Sequence, residues 1–304
     1  MGLILFVVIF AFAQPALAQR QPLSVNPTAN SVSEQQLLNE LNKVEGRGSI
    51  PDVKSYVIEH PAGRAWQSFR TLRLKWIAGI AIVSVLALLT AFYLYRGSMR
   101  VEAGPSGRMI LRFKVIERVV HWLVAISFVV LAITGLNITF GRSLLLPLVG
   151  LEAFSFVSAM GKYVHNYISF AFFIGIGLMF FTWVGKNLPT WADLEWMKMG
   201  GGMLGGGEPP SYKFNAGEKM IFWMAMLGGS LVSLSGFVLL FPFYGTGVGG
   251  MELTQITHSL VGVLMTAAIF VHIYMGTIGM EGALDGMKTG MVDANWAKAH
   301  HGLW

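Results

Sequence analysis

Five apolar stretches, at about residues 75–95, 117–139, 162–185, 216–241 and 254–280, are each long enough to cross the hydrocarbon core of a bilayer. A backbone in lipid must satisfy its own polar groups, so such stretches are confined to helices packed in a bundle. Four of the seven histidines, His121, His165, His258 and His272, lie inside or at the ends of these stretches. An imidazole at that depth needs a partner. His258 and His272 share the last stretch, fourteen residues apart, so a helix separates them by about 21 Å and returns them to nearly one face. A spanning helix with a histidine near each end, both facing one way, reads as the common wall of two stacked sites.

Composition narrows the class. The chain is 54% hydrophobic and only 12% charged, about half the charged fraction of a soluble domain. It has no cysteine, which excludes disulfides, covalent c-type haem attachment and thiolate-held zinc or iron–sulfur clusters in this chain. Any metal that moves electrons here is held by histidine or methionine, and the 17 methionines read as core filler. The net charge of +6 sits in basic flanks of the apolar stretches, with no basic, aromatic-interleaved stripe for nucleic acid. The Gly200–Gly207 run lacks the Lys-Ser/Thr ending of a phosphate-binding loop and reads as linker. Residues 1–18 end in Ala16-Leu17-Ala18 and read as a signal peptide cleaved after Ala18. Their lack of Lys or Arg leaves an uncleaved anchor as the alternative. Residues 19–74 form a polar, periplasmic extension, and 75–95 an extra span ahead of a four-helix domain at 105–285. Residues 286–304 are a tail.

Charge orients the spans. The 96–118 connection carries Arg96, Arg100, Arg108, Arg112, Lys114 and Arg118 against Glu102 and Glu117, and Lys186, Lys198, Lys213, Lys288 and Lys298 lie in the 186–215 loop and the tail. The 140–161 loop has only Arg142, and 242–253 has no basic residue. By the positive-inside rule the C-terminus is cytoplasmic and the N-terminus, after cleavage, periplasmic. His121 and His272 then lie near the cytoplasmic face, and His165 and His258 near the external one. Only the pairs His121–His272 and His165–His258 join equal depths. Two bis-histidine sites in a dry bundle suit b-type haem, whose iron with two strong axial ligands carries electrons. A zinc ion would want three or four ligands converging on one point. Any one of these histidines could instead hydrogen-bond a neighbouring helix. Arg112, Arg118 and Lys162 could pair haem propionates or snorkel to the interface. Gly135, Gly161, Gly175, Gly177 and Gly262 read mostly as helix-packing positions.

The segments RFKVIERVVHWLVAISFVVLAITGL, GKYVHNYISF, KFNAGEKMIFW, HSLVGVLMTAAIFVHIYMGTIGMEGALDGM and VDANWAKAHHGLW resemble, in order and across about residues 105–304, the gamma subunit of respiratory formate dehydrogenase, its membrane cytochrome b. The resemblance implies an all-α integral membrane protein of the inner membrane, with a four-helix di-haem bundle plus an extra N-terminal transmembrane helix. It implies two haem b, the external one on His165 and His258 and the cytoplasmic one on His121 and His272. It further implies a menaquinone or ubiquinone site at Asn215, Ala216 and Gly217, beside His272. The implied partners are an iron–sulfur beta subunit and a molybdenum or tungsten catalytic alpha subunit, in a complex that can assemble further. Asn215 is equally a helix cap by position. His300 and His301 lie outside the ligand motifs and read as an exposed tail docking on a partner or on the protein's own loops. The competing readings are the cytochrome b of a nickel–iron hydrogenase or thiosulfate reductase, and a haem-free, histidine-lined metal or proton transporter.

Overall fold

The computed structural model describes residues 66–203, 209–242 and 245–304; the signal peptide expected at 1–18 and residues 19–65 of the extension expected at 19–74 lie outside them, while residues 66–74 are helical instead of part of that extension. All five apolar stretches are helices long and apolar enough to cross a membrane. Helix α1 spans Trp66–Arg96 and stops at Gly97, whose φ of 69° L side chains avoid. Helices α2 (Val115–Leu144) and α3 (Leu146–Trp183) form one hairpin. The short α4 (Trp191–Lys198) precedes a second hairpin, α5 (Ala216–Leu240) and α6 (Val248–Tyr274). Two short helices, α7 (Ala283–Thr289) and α8 (Ala294–His300), close the chain. The protein is an all-α integral membrane bundle in which α2, α3, α5 and α6 pack together and α1 lies against α6.

The third helix departs from expectation. The sequence predicts a loop at 140–161, but α2 runs on to Leu144 and α3 begins at Leu146. Pro147 sits in the first turn, where its missing N–H has no helical acceptor to lose. Gly150, at φ 78° and ψ 171°, supplies the one non-helical step within α3.

The bundle's surface carries many large apolar side chains. Leu88, Leu94, Phe156, Phe181, Leu227 and Leu264 point outward, as lipid requires. Inside, Val120 and Val124 of α2, Phe172, Ile176 and Met179 of α3, Phe222 and Met226 of α5 and Met265 of α6 make one cluster. Two glycines set helix approach. A Cβ on Gly175 would come within 2.8 Å of Val124 Cγ2, and one on Gly229 within 2.8 Å of Ile176 Cδ1. Gly175 thus serves packing, as its sequence position suggested.

The basic end of the bundle, where residues 97–114, residues 187–203 and 209–215 and the tail meet, is tied by buried ion pairs. Glu117 is 3% exposed, and its Oε1 accepts from Lys213 Nζ (2.8 Å), Trp183 Nε1 (3.0 Å) and Lys186 Nζ (3.2 Å). One carboxylate therefore joins the start of α2, the end of α3 and the lead into α5. Lys219 of α5 donates to Asp193 Oδ2 of α4 (2.8 Å) and to Leu188 O (3.0 Å). Burial alone would raise the Asp193 carboxyl, but the Lys219 ammonium and the Thr190 donors hold it below its ordinary value. A short antiparallel strand pair, β1 (Met109–Leu111) with β2 (Met291–Asp293), pins the tail to the segment before α2.

That pairing corrects the reading of His300 and His301 as exposed. The tail folds onto the protein's own loops, and His301 is 2% exposed. Its Nδ1–H donates to Tyr212 O (2.8 Å), and its Nε2 accepts from Arg112 Nη2 (2.8 Å). Burial pushes the His301 imidazole down to about 4, with Glu218 opposing the shift and Arg112 adding to it. An undocked tail takes up a proton below the ordinary value of 6.5, whereas the docked one stays neutral until about 4. Docking is therefore at full strength above pH 6.5 and weakens as pH falls toward 4, by about 3 kcal/mol across that window. Protection factors of residues 291–304 in detergent, taken against the intrinsic exchange rate at each pH, should fall from pH 7 to 4.5, and His301→Asn should flatten this pH dependence.

Candidate functional site

Each histidine pair spans two helices from different hairpins. His121 of α2 and His272 of α6 lie at the basic end with ring centres 6.2 Å apart. His165 of α3 and His258 of α6 lie toward the other end, also with ring centres 6.2 Å apart. The two pairings expected from depth are the two the structure brings together. α2 and α6 make few backbone contacts, so the His121–His272 approach is not a by-product of tight helix packing there.

The spacing tests the cofactor. Two metal–nitrogen bonds of about 2 Å, with about 1.1 Å from each nitrogen to its ring centre, place two trans imidazoles about 6 Å apart. Both pairs have that separation. Among the described residues no group of three or more His, Cys, Asp or Glu side chains gathers as a bare ion would need. A pair of imidazoles at this distance suits iron that brings four equatorial nitrogens of its own, which is what haem provides. The residues present fit the group.

Two further side chains belong to the site, and the sequence reading passed over both. Thr134 Oγ1 donates to Val130 O (2.8 Å) one helical turn back and lies 2.8 Å from His165 Nδ1. Its proton is engaged by its own helix, so its lone pair accepts the Nδ1–H, and His165 Nε2 is left unprotonated with its lone pair available. Ser235 repeats the device on α5. It donates to Leu231 O (2.7 Å), and His258 Nδ1 lies 3.1 Å from its hydroxyl and 3.0 Å from Val232 O. A glycine follows each hydroxyl. A Cβ on Gly135 would meet His165 Cε1 at 3.6 Å, and one on Gly236 would meet His258 Cε1 at 3.2 Å. The signal was the dipeptide Thr134-Gly135 and its counterpart Ser235-Gly236, each within an apolar run of the helix preceding the histidine's own.

At the basic end, Asn215 caps α5. Its Oδ1 accepts from Glu218 N (2.9 Å), and Glu218 Oε2 accepts from Asn215 N (3.0 Å). Ala216 is buried. Gly217 lies under Trp196, where a Cβ would come within 3.0 Å of the indole. Glu218 also takes two hydrogen bonds from Arg112 Nη2, at 2.8 and 3.1 Å. Arg112 is thus engaged by Glu218 and His301, although its Nε has no partner among the described residues. Arg118 donates to Met287 O and Lys288 O, so its guanidinium holds the tail, and Lys162 is exposed at the other end.

Comparison with known proteins gives the chain's family. Residues 112–290 match the model of the prokaryotic cytochrome b561 family. The cytochrome b556(Fdn) subunit of the nitrate-inducible formate dehydrogenase of Escherichia coli strain K12 is 30% identical over 204 residues, covering 66% of this chain and 91% of the relative. The cytochrome b556(fdo) subunit of the same strain is 27% identical over 199 residues, 64% of this chain and 91% of the relative. A formate dehydrogenase cytochrome b556 subunit of Haemophilus influenzae is 24% identical over 201 residues, 64% of this chain and 82% of the relative.

Proposed function

The chain belongs to the prokaryotic cytochrome b561 family and with the cytochrome b556 subunits of formate dehydrogenase, and on that premise we propose that it links a formate-oxidising enzyme to membrane quinone. The observation that carries this reading is the pair of 6.2 Å imidazole separations, one at each end of α6. When bound, two b haems supply one-electron transfer between the two ends of the bundle. His165 and His258 would hold the external iron, and His121 and His272 the cytoplasmic one. The apolar bundle keeps water from both. Electrons enter at the external end from an iron–sulfur beta subunit, fed in turn by a molybdenum or tungsten alpha subunit, and leave at the basic, cytoplasmic end to menaquinone or ubiquinone. Formate oxidation belongs to the alpha subunit, since this chain has no cysteine to ligate its metal.

The quinone site is assigned to the start of α5, with protons taken up from the cytoplasm. The cap uses Asn215 Oδ1, which leaves the Nδ2 amide to donate to a quinone oxygen, beside backbone N–H groups of the helix N-terminus. Asn215→Asp separates the two roles, because Asp caps as well as Asn but has no amide donor. The expected outcome is roughly tenfold slower quinone-dependent haem reoxidation with thermal stability unchanged. Unaltered reoxidation would remove Asn215 from the site.

The complex-level test is co-purification of the chain with its partners, followed by formate-dependent reduction of its b-type absorbance. Absence of any reduced b-type band in the purified chain would instead support a haem-free transporter.

A further inference from the structure

The two histidine pairs differ in what stands behind them. At the external pair both Nδ1–H groups are given to oxygen acceptors: Thr134 Oγ1 for His165, and Val232 O with Ser235 Oγ for His258. At the basic end His121 Nδ1 is buried with no partner among the described residues. The difference is written into the helices. The first fourteen residues of α5, AGEKMIFWMAMLGG, contain no hydroxyl side chain, whereas Ser235 lies in its last turns opposite His258. Ser127, the hydroxyl of α2 closest in sequence to His121, has Leu123 O as its only hydrogen-bond partner among the described residues.

We infer that Thr134 and Ser235 are positioning residues that make the external haem the lower-potential centre of the two. The inference rests on the four histidines being haem ligands. An imidazole that donates its Nδ1–H to an acceptor becomes more basic at Nε2. A more electron-donating pair of axial ligands favours ferric over ferrous iron, and second-shell hydrogen bonding is one of the protein's levers on haem potential. Two such bonds at one site, and none to His121 at the other, bias the electron toward the basic end. The hydroxyls act through ligand electronics and ring orientation. Each is itself locked by an i to i−4 bond to its own helix, so its acceptor direction does not wander. Gly135 and Gly236 complete the device by letting each ring lie against the helix that carries the hydroxyl.

Potentiometric titration of the purified holoprotein, followed at the b-type absorbance, tests this. Wild type should titrate in two steps. Thr134→Val, nearly isosteric, should shift the reduction equilibrium of the lower-potential step about tenfold toward ferrous iron, which is 59 mV for a one-electron couple, and leave the upper step in place. Thr134→Ser should restore the wild-type value. Ser235→Ala should move the same step in the same direction but less, because Val232 O remains as an acceptor for His258; it also serves if Thr134→Val does not load haem. Movement of the upper step, or no movement in either variant with both haems present, overturns the inference while leaving the cytochrome reading intact. Loss of the b-type spectrum from wild type would instead sink the cytochrome reading.

Discussion

Replacing His272 by alanine is expected to remove one of the two b haems, cutting the dithionite-reduced α-band by about half and quinone-coupled electron transfer by ~100-fold or more. His272 stands 6.2 Å from His121 across the bundle, and an iron stripped of one axial imidazole loses both its coordination and its fixed place. The stronger form of the prediction compares four variants. His121→Ala and His272→Ala should lose the same spectral component, and His165→Ala and His258→Ala should lose the other. Histidines that only hydrogen-bond between helices contribute on average about 0.6 kcal/mol each, and their removal would leave both components untouched. Loss of matched components would also establish the pairing, which total haem content alone does not.

Glu117→Ala is expected to be the most destabilising single change away from the histidines. The carboxylate lies behind 3% exposure and receives four donors from three different parts of the chain. Truncation leaves Lys213, itself largely buried, without a counter-charge, and Trp183 Nε1 without an acceptor. Removing one partner of a buried pair costs about 3–5 kcal/mol, which corresponds to a Tm lower by roughly 10 °C for a protein of this size. Lys186 should matter less, because its side chain is half exposed and such pairs contribute about 1 kcal/mol or less. Thermal denaturation of detergent-solubilised Glu117→Ala and Lys186→Ala, side by side, checks the ranking. Equal stability of the two variants would mean that the Glu117 junction is not the tie described above.

Much of the architecture was legible because lipid imposes a simple code. Length and apolarity alone identified five helices, and charge in the connections gave each histidine a depth. The fourteen-residue interval between His258 and His272 suggested two stacked sites, and equal depth then pointed to His121 and His165 as the side chains the fold brings beside them. The connection between α2 and α3 was harder to read, because Pro147, Gly150 and Glu152 look like loop punctuation. The proline falls in a first turn, where it is tolerated, and the glycine takes up a single kink. The tail was misread for a different reason. His300 and His301 are polar residues in a short segment, and nothing local marks them as buried. The burial of His301 depends on Arg112 and Tyr212, about 190 and 90 residues away, and on a three-residue strand pair too short to show periodicity. Thr134 and Ser235 were overlooked because hydroxyls are ordinary in membrane helices. Only the imidazole placed against each one by the fold makes it part of the site.

The most direct measurement is the haem content of the purified chain, by pyridine haemochromogen absorbance against protein determined by amino-acid analysis. Two b haems per chain is the expected result, falling to one in His258→Ala and in His272→Ala. A wild-type ratio of one or zero, or a ratio of two that survives both substitutions, would contradict the assignment of two stacked bis-histidine sites along α6.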